Sequence, residues 1–297
     1  MSRDCLPPPA PEAPGFPLPE GACDSHTHVF GPFARHPLSG ERSYTPPEND
    51  GPALLRQLDA MGLARCVIVT ASAYGADNHA MLEALALAPD RLRGVAVLSE
   101  GVGEADLDAM AQAGVRGVRV NLFRRDGHQV YRNGMGLEAL QTLAPRLRAR
   151  GWHLQAWLHA PDLPELWPSL AACGMPVVID HMGRMSTARG VDDPGFALLC
   201  RLVADGAAWT KISGADRLTV TGPPYGDVDP FAAALIAANP ERLVWGSDWP
   251  HINYFGGATD RGVPSDANLL RALRRWTDDR VLRRILVDNP GALYGFP

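Results

Sequence analysis

The stretch that decides the fold runs from residue 66 to residue 120: CVIVTA at 66–71, NHAMLEALALA at 78–88, RGVAVL at 93–98, EADLDAMAQA at 104–113 and GVRV at 117–120. The first, third and fifth pieces are short and apolar with β-branched residues, as strands buried on both faces are. The second and fourth space apolar residues three and four apart, which gathers them on one face of a helix. Strand and helix in strict alternation specify βα units laid around a parallel sheet.

Outward from that stretch, the same alternation predicts strands at 22–29, 153–158, 177–181, 210–213 and 243–248. It predicts helices at 52–61, 136–150, 163–172, 195–204, 230–239, 265–276 and 279–287. Gly62, Gly114, Gly151 and Gly174 each follow a helical run, where a left-handed cap turns the chain toward the next strand. Eight strands with intervening helices predict an α/β fold, a single (β/α)8 TIM barrel over residues 21–297. No GxGxxG follows the first strand, which argues against an open dinucleotide-binding sheet. Residues 1–20 carry seven prolines. Their fixed φ and missing N–H predict an extended arm, either lying over the bottom face of the barrel or without order.

Of the residues, 46% are hydrophobic and 21% charged, enough apolar side chains for a large core. A net charge of −5 with no Lys/Arg-rich run argues against a nucleic-acid partner. Lys211 is the one lysine among the 28 basic residues. No apolar run reaches the length of a membrane span and no hydrophobic leader opens the chain, so a cytoplasmic protein is expected. The five cysteines form no CxxC pair and read as reduced thiols. Oligomeric state leaves no mark in the sequence.

In such a barrel the chemistry gathers at the C-terminal ends of the strands. Four of the expected strands end in the same few residue types. The first ends in Asp24-Ser25-His26-Thr27-His28, where alternation points His26 and His28 the same way. The fifth ends in Trp157-Leu158-His159, the sixth in Asp180-His181, and the eighth in Ser247-Asp248-Trp249-Pro250-His251. A single histidine on an apolar segment is usually a satisfied core residue. Imidazoles and a carboxylate converging on one mouth are instead what it takes to polarise a carbonyl, deprotonate water or hold a divalent metal.

The segments CDSHTHVFGP, RSYTPPEND, TASAYGADN, AGVRGVRVN, VVIDHMGR, RLTVTGPP and LVWGSDWPH resemble those of the amidohydrolase superfamily, most closely its 2-pyrone-4,6-dicarboxylate lactonase group. The resemblance implies hydrolysis of a small acidic lactone, such as a pyrone dicarboxylate or a carboxy- or sulfomuconolactone. It implies Asp248 as the base for water, with His26, His28 and His181 polarising the carbonyl. It further implies Arg119, Arg125 and Arg217 on the substrate carboxylates, and Tyr44 and Ser72 lining the pocket, with Trp157 expected beside them from its place at the end of the fifth strand. His251 is expected beside Asp248, as its orienting partner and against substrate.

The resemblance implies a metal-free site, but the fifth strand departs from the lactonase pattern by placing Trp157 and His159 where a tyrosine and an acidic residue are expected. His26, His28, His159 and Asp248 would together suit one Zn²⁺. A binuclear site is not expected, because the fourth strand has no lysine to bridge two metals. Two other readings remain open at this level. One is a mononuclear Zn-dependent decarboxylase of an aromatic or unsaturated acid, favoured by His159. The other is a non-catalytic carboxylate-binding protein on an enzyme scaffold.

Overall fold

Eight strands pair in parallel, each with its sequence neighbour: β1 (Cys23–Thr27), β2 (Arg65–Val69), β3 (Leu92–Ala96), β4 (Val115–Asn121), β5 (His153–Trp157), β6 (Val177–Ile179), β7 (Ala208–Lys211) and β8 (Leu243–Val244). The computed structural model describes residues 2–125, 128–130, 135–257 and 262–296. The sheet closes through backbone bonds between β1 and the segment after β8: Ser25 N to Trp245 O, Asp248 N to His26 O and His28 N to Trp249 O. The closed eight-stranded barrel is the predicted architecture.

The helices α1 (Gly51–Met61), α2 (His79–Leu87), α3 (Glu104–Gln112), α4 (Leu137–Arg148), α5 (Leu163–Ala172), α6 (Pro194–Ala204), α7 (Asp229–Ala238) and α8 (Asp266–Trp276) follow the strands in turn. Start signals are visible at α1 and α6, where the Asp50 and Asp193 side chains accept from the first-turn N–H groups and proline occupies the first turn. Apolar faces of the helices pack on the outward side chains of the strands to make the main core. No helix among the described residues is long and apolar enough to cross a membrane.

Inside the barrel the side chains form layers, as alternation along a tilted strand requires. Cys23, Val67, Val69, Val95 and Val244 form the floor, plugged from below by Tyr294 and Phe296. On β5, His153 lies against Tyr294, Gln155 lies in the middle bonded to Lys211 and Asp180, and Trp157 reaches the mouth beside His181. The middle layer is therefore charged, which is unusual for a barrel interior and bears directly on the site above it.

The proline-rich arm departs from expectation. Arg3–Asp4 pair in parallel with Tyr44–Thr45, and Leu6 N donates to Tyr254 O, so the start of the arm sits on loops that follow β1 and β8, at the mouth. Further along, Pro14 O accepts from Arg271 of α8, so the arm runs from the mouth down the side of the barrel toward the start of β1. Extended, donor-poor chain cannot join the sheet, but it can bridge two loops that offer it backbone partners.

Candidate active site

At the mouth one carboxylate oxygen is ringed by three imidazoles. Asp248 Oδ1 lies 3.2 Å from His28 Nε2, 3.8 Å from His26 Nε2 and 3.9 Å from His181 Nε2. All four residues are buried. The other oxygen, Oδ2, accepts from Arg217 Nη2 at 3.0 Å.

The backbone around these groups bends sharply. Asp248, His251 and Asn253 have φ of 68°, 63° and 67°, and His181 and Arg184 have φ of 48° and 45°. Left-handed backbone at non-glycine residues costs of order 1–3 kcal/mol each and persists where the surroundings impose it, commonly at functional sites. Gly246 makes the approach possible: a Cβ there would lie 2.5 Å from the His26 Cβ, so only glycine lets the end of β8 reach β1. Asp24 Oδ1 then clasps both edges, accepting from His26 N and Ser247 N at 3.0 Å each.

Burial alone would raise the Asp248 carboxyl, but the His28 hydrogen bond and the Arg217 guanidinium outweigh it and hold the pKa well below the usual carboxylate range. Burial pushes His181 down to about 4 and His26 well below the ordinary histidine value, the Lys211 charge adding to the effect at His26. Asp248 is ionised and these two rings are neutral at pH 7. Among the described residues, His26 Nε2 and His181 Nε2 have no hydrogen-bond partner. These two buried imidazole edges, both facing Asp248, are where an acceptor oxygen of a bound molecule would be satisfied.

The cleft above is lined by His28, Tyr44, Ser72, Arg119, Trp157 and Arg217, all expected from the sequence. Ser72 Oγ donates to Tyr44 Oη at 3.4 Å. Arg119 and Arg217 are not free forks: Arg119 lies 3.5 Å from Asp180 and over the Trp157 ring, while Arg217 joins Asp248 to Asp216. The side chain of Arg125 lies outside the described residues. His251 is buried behind the mouth and does not line the cleft. Its Nε2 meets Asp266 at 2.8 Å and its backbone N–H donates to Asp248 O. Burial disfavours its charge, but the Asp266 carboxylate holds its pKa above the ordinary value.

Arg184, Asn121 and Asn253 also line the cleft and were not singled out from the sequence. Arg184 stands inside the DHMGR segment, its guanidinium over Phe123 and Trp157. Its place in that motif was a usable signal. The two asparagines gave none, being ordinary loop residues by composition.

His26, His28 and Asp248 bring ligand atoms within 4.8 Å of one another, a group able to hold a metal ion. His159 is not brought to it; its ring lies half-buried beside Phe123. A metal-bound imidazole normally donates its second N–H to a carbonyl or carboxylate. His28 does so, Nδ1 to Val69 O at 2.7 Å. His26 instead has the Lys211 ammonium 3.0 Å from Nδ1, and Arg217 already neutralises Asp248. Two fixed cations touching the ligand set do not fit a resident divalent ion.

Residues 23–296 match the family model described as amidohydrolase. The chain is 38% identical over 294 residues to a 2-pyrone-4,6-dicarboxylate hydrolase of Comamonas testosteroni, covering 96% of this chain and 93% of the relative. It is 36% identical to a 4-sulfomuconolactone hydrolase of Rhizobium radiobacter, covering 98% and 96%. A solved structure from Acinetobacter baumannii, named a probable 2-pyrone-4,6-dicarboxylic acid hydrolase with citric acid bound, superposes with a TM-score of 0.80 at 28% identity, covering 93% of this chain and all of that one.

Proposed function

The chain belongs to the amidohydrolase family, and from that premise we propose that it hydrolyses a small acidic lactone, opening the ring with water activated at Asp248. The observation that carries this reading is the single ionised carboxylate oxygen facing three imidazole edges. The relatives named as lactone hydrolases, alike over nearly the whole chain, support the substrate class.

In this reading the lactone carbonyl oxygen sits between His26 Nε2 and His181 Nε2. Water attacks the carbonyl carbon while Asp248 takes its proton. The oxyanion formed is stabilised by the two ring N–H groups, each worth roughly 3 kcal/mol when preorganised and buried. Collapse breaks the ring C–O bond, and the proton held by Asp248 passes to the leaving oxygen. The low pKa of Asp248 suits an acidic substrate: negative charges entering beside it raise the carboxyl toward the range a base needs. Arg119 and Arg184, with Tyr44 and Ser72, supply the polar wall for the substrate acid groups.

Asp248→Asn keeps the shape of the side chain and removes the base. Ring opening, followed by ultraviolet absorbance on pyrone dicarboxylates and carboxy- or sulfomuconolactones, is expected to slow by a hundredfold or more. A variant keeping a tenth of the parent kcat would remove Asp248 from this role.

A further inference from the structure

The only lysine of the chain lies at the end of β7, fully buried beneath the mouth, and the chemistry above leaves it without a task. Its Nζ makes three hydrogen bonds, with Ser25 O at 2.9 Å, Gln155 Oε1 at 2.9 Å and His26 Nδ1 at 3.0 Å, while Asp180 Oδ1, 3.3 Å away, is an ion-pair partner that takes no aligned hydrogen bond. Ser25 O can only accept. Gln155 presents its oxygen because its amide nitrogen donates to Asp180 Oδ2 at 3.1 Å. An ammonium has three donors and no acceptor, so the third goes to His26 Nδ1.

We propose that Lys211 is a positioning residue that fixes the tautomer of His26, keeping Nδ1 as an acceptor and forcing the ring proton onto Nε2, where it faces the substrate. Asp180 competes for the same nitrogen, with Oδ1 at 3.3 Å from His26 Nδ1, but that oxygen has no aligned donor, whereas the lysine contact is a formed hydrogen bond. Were the proton on Nδ1, it would point at the ammonium, and Nε2 would present a lone pair toward Asp248 Oδ1, 3.8 Å away. The lysine thereby turns a ring placed like a metal ligand into an oxyanion donor. The tautomer stands on geometry alone; its catalytic value rests on the lactonase reading above.

The test is ¹⁵N-histidine NMR on the intact protein, with His26 assigned by loss of its signals in His26→Gln. In the parent, His26 Nε2 is expected to carry the proton and Nδ1 to show the shift of a bare acceptor. A proton on Nδ1 overturns the proposal, whatever the substrate proves to be. Lys211→Met is expected to move the proton to Nδ1, toward Asp180, to lower kcat about a hundredfold with KM changed less than threefold, and to let the protein take up zinc that the parent does not retain. Lys211→Arg, which keeps donors, is expected to preserve the parent tautomer. An unchanged tautomer in Lys211→Met also overturns the proposal. If that variant fails to fold, the parent spectrum decides by itself. Absence of lactone turnover by a parent that shows the expected tautomer would count against the substrate reading and not against Lys211.

Discussion

Arg217 illustrates how much one side chain does here beyond its charge. From the sequence it reads as a clamp on a substrate carboxylate, but its Nη2 donates to Asp248 Oδ2 and to Ile252 O, and its Nε lies 3.2 Å from Asp216. It holds Asp248 in place and ionised. Arg217→Met removes the nearest fixed cation, so the Asp248 carboxyl rises. A carboxylate base acts above its pKa and fails as pH falls through it, so the acid limb of the kcat/KM profile is expected to move to higher pH, with kcat/KM at neutral pH falling by about a hundredfold. A limb that stays in place would mean that something else ionises the base. The residue types at the mouth were legible because strand ends in a barrel converge by construction. Their pairings were not, since Arg217 with Asp248 and Lys211 with His26 depend on tilt and stagger between distant strands, which no spacing along the chain encodes.

At the level of elements, the meeting of β1 with the segment after β8 decides whether the site exists. Three backbone bonds, Gly246 and the Asp24 clasp make that seam. Burial pushes the Asp24 carboxyl up to about 7, against the Ser247 and His26 bonds that favour its ionised form. Its folded pKa thus lies above its unfolded one. The stability it contributes is complete below about pH 4 and is lost as pH rises toward 7, at up to about 1.4 kcal/mol per pH unit in that window. Asp24→Asn retains an acceptor at the clasp and removes the titration. Thermal melts are expected to show the parent losing stability relative to Asp24→Asn between pH 4 and 7, and parallel curves would contradict the buried-acid account. The strands themselves were readable from apolar runs, though the regular β8 is only Leu243–Val244 where six residues were expected. The rest of that run leaves the ladder with β7 and bonds to β1 alone, bringing Asp248 round, and a periodicity cannot register the bend.

Across the whole molecule, the two ends of the barrel are closed by the two ends of the chain. Tyr294 and Phe296 plug the floor, with Arg93 over the Phe296 ring and bonded to Gly295 O. Residues 3–6 cross the mouth between the loops after β1 and β8, where Arg3 lines a second cleft that shares Asn253 with the first. Proline content told that the arm is extended. It could not tell which face the arm visits, because that depends on backbone partners offered by Thr45 and Tyr254. Deleting residues 2–6 removes no buried apolar side chain. The melting temperature is therefore expected to change little, while KM for an acidic lactone rises severalfold and kcat falls less. Unaltered KM would show that the arm does not shape substrate entry.

That placement of the arm reaches into how the protein is handled at the bench. A purification tag or a surface tether fused ahead of Ser2 would emerge within a few residues of Tyr44 and Asn253, which line the cleft at the mouth. The same fusion after Phe296 would leave from the opposite pole. Immobilised or tagged preparations that differ only in which terminus carries the attachment are therefore expected to differ in turnover, the N-terminally anchored one being the slower.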